Sequence, residues 1–187
     1  MPIDVDEVQR RKAIAKATLT VAARDGARAV TIRAVAKELG GSTAMVTNYV
    51  PTRIALITNA VAAAESRWRA DLDAHVGELA GEERLRATLE WNLSTEPDDL
   101  LLRRLWVEML SSLQGGGDAA ETHEPEETLA ELHEAADAAG VADPELAADL
   151  LFLLTRGYLI STVEDPTMWT PERVGRVAGA VVQMLTR

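Results

Sequence analysis

The sequence predicts an all-α protein of about nine helices, with a small three-helix head followed by a larger helical body. Aromatic residues make up only 4% of its 187 residues, while Ala and Leu are abundant. Apolar residues recur at three- and four-residue intervals, the period of a half-buried helix. Alternating β-branched runs are absent, and the trio Val30, Thr31 and Ile32 is too short for a strand.

Each element has its own signals. Ile14, Ala17, Val21 and Ala22 form the inner stripe of a first helix that stops at Asp25-Gly26. Thr31 caps a short second helix, with Ile32, Val35, Ala36 and Leu39 pointing inward, and Gly40-Gly41 ends it. Ser42 caps a third helix, from about Thr43 to Tyr49, which Pro51 keeps from running far. A long helix is expected over 52–79, striped by Ile57, Val61, Ala64, Trp68, Leu72, His75 and Leu79. Further helices are expected over 82–93 and 98–113, and then GGGDAAETHEPEE reads as a loop. A helix resumes toward Ala139 and stops at Gly140. Asp143-Pro144 and Thr170-Pro171 each pair a cap with a first-turn proline, opening the last two helices. No internal repeat is present.

Composition narrows the function. With no cysteine, disulfides, thiolate zinc sites and cysteine nucleophiles are excluded. The start, MPIDVDEVQRRK, lacks an apolar signal core, and no apolar run looks long enough to span a bilayer. These features predict a soluble cytoplasmic protein with no membrane partner. The net charge of −11 is uneven: residues 1–53 hold nine Lys/Arg against five Asp/Glu, the rest ten against twenty-five. A basic head of about +4 on an acidic body of about −15 steers one end toward phosphate.

Three short helices with a glycine turn between the last two are the layout of a helix-turn-helix unit. The second helix would cross the DNA backbone, with Thr31 at its start, and the third would enter the major groove. Met45, Val46 and Tyr49 would face inward, leaving Thr43, Ala44, Thr47 and Asn48 toward DNA. Asn48 can read adenine bidentately, and the methyls of Ala44 and Thr47 can meet a thymine methyl. Arg33 would reach a guanine or a phosphate, and Arg53 a phosphate. Blander roles stay open: Thr31 and Ser42 as plain caps, Tyr49 as core, Asn48 as a helix stop. The predicted DNA-binding set is thus Thr31, Arg33, Ser42, Thr43, Ala44, Thr47, Asn48, Tyr49 and Arg53, in a domain of residues 1–53.

Residues 14–57 resemble the N-terminal signature of the tetracycline-repressor (TetR) family. Gly26, Thr31, Val35, Ala36, Gly40, Ser42, Tyr49, Pro51, Arg53 and Leu56 fall in its register. Three positions depart from it. Gly41 replaces a branched apolar residue, so the turn is expected to be looser. Thr47 stands where a tyrosine commonly touches phosphate, and Val50 replaces the usual Phe. The resemblance implies a homodimer, a palindromic operator with recognition helices about 34–36 Å apart, and release on binding a small effector.

Residues 54–187 then form the ligand-binding and dimerisation domain. Leu146, Leu150, Leu153, Leu154, Tyr158 and Ile160 give the penultimate helix more apolar surface than one core face needs. Val174, Val177, Val181 and Leu185 stripe the last helix, with Gly175 and Gly179 as a small-residue edge. Four helices from two copies would make a bundle, in which Asp149 and Arg156 can pair across the axis. Trp68, Trp91, Trp106 and Met109 are candidates to line a largely apolar effector pocket, with plain core as the competing role. Glu90, Asn92 and Glu108 are candidate polar groups there, or solvated helix faces, and His75 is a candidate pocket donor or a satisfied core histidine. His123 and His133 make no metal-ligand spacing. An enzyme is not expected: the sequence lacks a glycine-rich phosphate loop, a Ser-His-Asp neighbourhood and a metal cluster, so no cofactor is implied. The remaining alternative is a helical dimeric ligand-binding or interaction protein whose DNA binding is weak or lost.

Overall fold

The computed structural model describes residues 3–113 and 125–187. Among them are nine α-helices, one 3₁₀ turn and no strand, as the sequence predicts. The described residues divide into two compact units, 3–67 with 101–113 and 68–100 with 125–187. This division does not follow the expected 53/54 boundary: residues 54–67 and 101–113 group with the head.

The first unit opens with α1 (Ile3–Asp25) and a 3₁₀ turn at Ala27–Ala29. It continues with α2 (Ile32–Glu38), α3 (Thr43–Thr47) and the start of α4 (Arg53–Val76). Ile14, Ala15, Ala17, Val21 and Ala22 are buried along α1, matching the predicted stripe. Thr18 is buried on the same face, and its hydroxyl donates to the Ile14 carbonyl at 2.8 Å, so no polar group is left unsatisfied there. Gly26, at φ 89°, ends α1 by donating to the Ala22 carbonyl at 2.9 Å. Asn59 of α4 donates to the Arg11 carbonyl at 2.9 Å, tying α4 to α1. Val30, Val35, Val46, Val50, Leu56, Ile57, Ala60, Val61 and Ala64 complete the core of these elements. Leu105, Trp106 and Met109, from α6 (Pro97–Leu113), are buried too.

The second unit holds α5 (Gly81–Asn92), α7 (Pro125–Ala138), α8 (Pro144–Glu164) and α9 (Pro171–Leu185). Its core joins Leu85, Leu89 and Leu93 to Leu132, Ala136 and Val141, and to Ala147, Ala148, Leu151 and Tyr158 of α8. Val174, Ala178 and Val182 of α9 complete it. Asp143 and Thr170 cap α8 and α9 by accepting from Leu146 and Arg173 amides, with Pro144 and Pro171 in the first turns. The loop expected at GGGDAAETHEPEE lies mostly outside the described residues, as does His123, but its last residues Pro125–Glu127 already belong to α7.

By length and composition alone, α8 is apolar enough to cross a bilayer, the one described helix that is, although a core helix passes the same test. Glu145, Asp149, Arg156 and Glu164 interrupt its apolar residues, which hid the run, yet they barely dilute its average character. The surplus apolar surface is outward-facing: Leu146, Leu150, Leu153 and Ile160 are exposed, Leu153 to 66%. Their spacings of four, three and seven residues draw a single seam along the helix.

Candidate nucleic-acid interface

α2 and α3 are too short to stand alone, so their ends matter most. Thr31 Oγ1 accepts from the Ala34 amide at 3.1 Å, and Ser42 Oγ from the Met45 amide at 3.3 Å. Both caps are as predicted. Between the helices, Gly40 sits at φ 67°, the left-handed conformation that glycine adopts without strain. The Gly40 amide donates to Lys37 at 3.1 Å and the Gly41 amide to Ala36 at 2.9 Å. These two bonds close the turn, so the looser turn expected from Gly41 is not found. A Cβ at Gly41 would meet only the flexible end of the Met45 side chain, which can swing aside, so packing does not require glycine there.

α3 buries Val46 and leaves Thr43, Ala44 and Asn48 exposed, with Met45, Thr47 and Tyr49 half-buried. Thr43, Ala44, Asn48 and Val46 lie as expected, but Thr47, expected to face outward, shares the intermediate burial of Met45 and Tyr49, which were expected to face inward. Thr47 Oγ1 makes only a long contact of 3.5 Å with the Ala44 carbonyl. Val50, which stands in place of the Phe usual in the family's signature, is fully buried.

The electrostatics of the head are partly self-cancelling. Arg24 binds Asp25 through three contacts and reaches Glu38 at 2.7 Å, linking the end of α1 to α2. Hydrogen bonding to Asp25 above all, with Glu38 next, pushes the Arg24 guanidinium pKa up, and Arg24 in turn holds Asp25 below the usual carboxylate range. Two acids are thereby matched by one base. Arg33 and Lys37 stay exposed and, among the described residues, form no ion pair.

Arg53 is the site residue whose surroundings sequence reasoning missed. Its Nε donates to the Val30 carbonyl at 2.9 Å, and its Nη2 to Ala27 at 3.2 Å and to Glu108 of α6 at 3.0 Å. It therefore holds the turn before α2 in place, and much of its donor capacity is spent inside the protein. Glu108, expected near a ligand, is instead the partner of Arg53, with Arg28 at 3.8 Å.

The sequence matches no family model and no curated protein. Solved structures are similar over nearly the whole chain. A candidate transcriptional regulator from Pseudomonas aeruginosa PAO1 gives a TM-score of 0.73 at 27% identity, covering 95% of this chain and 90% of that one. A candidate TetR-family transcriptional regulator from Rhodococcus sp. gives 0.74 at 22% identity, covering 96% and 100%. The transcriptional regulator FadR from Bacillus subtilis, solved in complex with stearoyl-CoA, gives 0.61 at 15% identity, covering 94% and 97%. The chain has the TetR-family fold.

In this TetR fold the four predicted ligand residues fall into two groups. Trp68 and Trp91 belong to the second unit, with ring centroids 6.2 Å apart and His75 5.1 Å from Trp91. The Trp91 indole N–H is buried and meets no acceptor among the described residues. Trp106 and Met109 belong to the first unit and are buried. Glu90 is exposed, and Asn92 donates to the Thr88 carbonyl of its own helix.

A cavity of about 250 Å³ lies in the second unit, lined by Leu93, Leu153, Leu154, Gly157, Tyr158, Trp169, Val174 and Val177. None of the four predicted ligand residues lines it. Tyr158, placed by the sequence on a dimer face, is buried here, and its hydroxyl donates to the Ser94 carbonyl at 2.9 Å. Trp169 meets it edge to face at 5.4 Å and donates to Ser161 Oγ at 2.7 Å. Trp169 was not singled out by the sequence reading, although its place just ahead of the Thr170-Pro171 helix start is a signal for a residue folded back onto the preceding helix. Arg156 stacks over Phe152 at 4.8 Å, one turn away on its own helix. Gly179 faces Arg86 of α5 rather than open space, while Gly175 is open.

Proposed function

We propose that the chain is a DNA-binding transcriptional regulator. In this reading it is a homodimer whose residues 1–53 occupy a palindromic operator, and it acts as a repressor. A small, largely apolar effector bound by residues 54–187 releases it. The observation that carries the reading is the outer face of α3. Thr43, Ala44 and Asn48 are exposed there, on a helix that the caps, the closed glycine turn and Val46 hold in place without them. Asn48 is the adenine reader, and Ala44 and Thr47 offer methyl groups to thymine. Thr31, Arg33, Ser42 and Tyr49 serve the backbone, and Arg53 keeps only its Nη1 hydrogens for phosphate.

The exposed seam of α8 supports the dimer, because four large apolar side chains in one line are more than a monomer's surface ordinarily leaves uncovered. Two such helices meeting about a two-fold axis cover both seams at once. For the effector, the unpartnered Trp91 N–H beside Trp68 supports a mostly apolar molecule that carries a hydrogen-bond acceptor. The stearoyl-CoA bound by FadR is in keeping with an apolar class. Trp106 and Met109 are proposed for the same role from their helical spacing alone. A mobility-shift and footprinting assay on the DNA flanking the coding sequence tests the core of this proposal. A symmetric protected site, lost steeply as salt rises, is expected; uniform failure to bind any such duplex in dilute buffer would overturn it.

A further inference from the structure

The first unit holds an anion of its own against the basic head. Glu108 Oε2 accepts from Arg53 at 3.0 Å, and Oε1 lies 3.8 Å from Arg28 Nε. Glu108 and Arg53 are largely covered, with side chains 24% and 35% exposed, whereas Arg28 is 97% exposed. Arg53 is also pinned by the Val30 and Ala27 carbonyls, so its position does not depend on Glu108 alone. One carboxylate thus faces two guanidiniums beside the turn that leads into Thr31 and α2. Carboxylate and phosphate present the same chemistry to a guanidinium: a planar donor fork meets paired anionic oxygens.

We infer that Glu108 acts as an internal stand-in for a backbone phosphate, and that its hold on Arg53 and Arg28 sets the head's DNA affinity below what its cations allow. The inference rests on the DNA-binding reading and deepens it by assigning an affinity-limiting role to an acid 55 positions from Arg53. With Glu108 present the three groups sum to a single positive charge; without its charge they sum to two. The phosphate-driven part of DNA affinity grows with the number of cations that replace counterions, so uncovering this pair strengthens binding whatever the sequence. A carboxylate that served only as a structural staple would act in the opposite direction, because its loss would loosen the turn before α2.

The test compares wild type, Glu108→Gln and Arg28→Ala on one duplex across a salt series, with thermal melts alongside. Glu108→Gln keeps a hydrogen-bond acceptor for Arg53 but removes the charge. It is expected to bind about three- to ten-fold tighter at low salt, with the gain shrinking as ions screen the head. Arg28→Ala is expected to weaken binding more in the Glu108→Gln background than in wild type, a coupling that a staple does not produce. Should Glu108→Gln fail to fold, Glu108→Asp tests the same contact: it keeps the charge but is one methylene too short to serve both guanidiniums, and a smaller gain is expected. If wild type binds DNA and the folded Glu108 variants bind equally or more weakly, the inference fails alone. If wild type binds no duplex, the DNA-binding reading fails and the inference with it.

Discussion

α3 is five residues long and buries one side chain, Val46; α8 is twenty-one residues long, buries five, and leaves Leu146, Leu150, Leu153 and Ile160 in solvent. The two helices depend on different forces. The short one is held from its ends, by the Ser42 cap and the backbone bonds of the Gly40-Gly41 turn, and needs little from its outer side chains. The long one has more apolar surface than its own unit can cover. A surface free of structural duty is open to a polar partner such as DNA, whereas a surface with surplus apolar area calls for another apolar surface. In the proposed reading, partner type follows from what each helix leaves free.

The sharpest way to break this contrast is within α8 itself. Leu151→Ala, at a fully buried position, is expected to cost about 2–5 kcal/mol in denaturant unfolding. Leu153→Arg, two residues on, is expected to leave subunit folding nearly unchanged but convert the proposed dimer to monomer in sedimentation, taking operator binding with it. A Leu153→Arg protein that sediments as wild type does would mean the seam is not where two copies meet.

On α3 the corresponding test is Asn48→Ala. It is expected to cost about 1–3 kcal/mol of discrimination at one base pair per half-site while leaving the melting temperature alone. A binding-site selection that returns the same preference for both proteins would remove Asn48 from base readout. Ser42→Ala probes what holds α3 rather than what it reads. Loss of the cap is expected to destabilise the head by about 1 kcal/mol, seen as faster amide exchange in α3 before global unfolding.

The smallest effect belongs to the end of α8. Asp165 accepts from the Thr167 amide and hydroxyl at 2.9 and 2.7 Å, and these bonds, the hydroxyl's foremost, lower its pKa below the ordinary 3.8. A carboxyl lowered on folding stabilises above its unfolded pKa, and the contribution disappears as pH falls through the folded value. Wild type is therefore expected to lose slightly more stability than Asp165→Asn on acidification below about pH 4. Parallel melting curves through that range would discount the contact.

Legibility in the sequence tracked how local each interaction is. The caps at Thr31, Ser42, Asp143 and Thr170 were readable because donor and acceptor sit three residues apart. The buried face of α1 was readable for the same reason. Arg53 and Glu108 were not, since 55 positions separate them and nothing in either neighbourhood points to the other. Arg53 looked like a phosphate ligand, and Glu108 like a pocket acid. The long helix was expected to end at Leu79 but stops at Val76, ahead of Gly77. On α8 the difficulty was different: apolar residues surround the helix, so periodicity could not say that Tyr158 turns inward while Leu153 turns out. The cavity beside Tyr158 was invisible for that reason, since its walls come from Leu93 just after α5, from α8 and α9, and from Trp169 together.

The hollow beside Tyr158 also bears on the seam. Leu153 is one of its walls and is 66% exposed, so the hollow opens to solvent on the same face of α8 as the apolar line. With the Tyr158 and Trp169 polar tips already bonded to Ser94 and Ser161, water lying there finds almost nothing to bind. Whatever covers that face displaces this poorly held water, and its binding should carry a negative heat-capacity change.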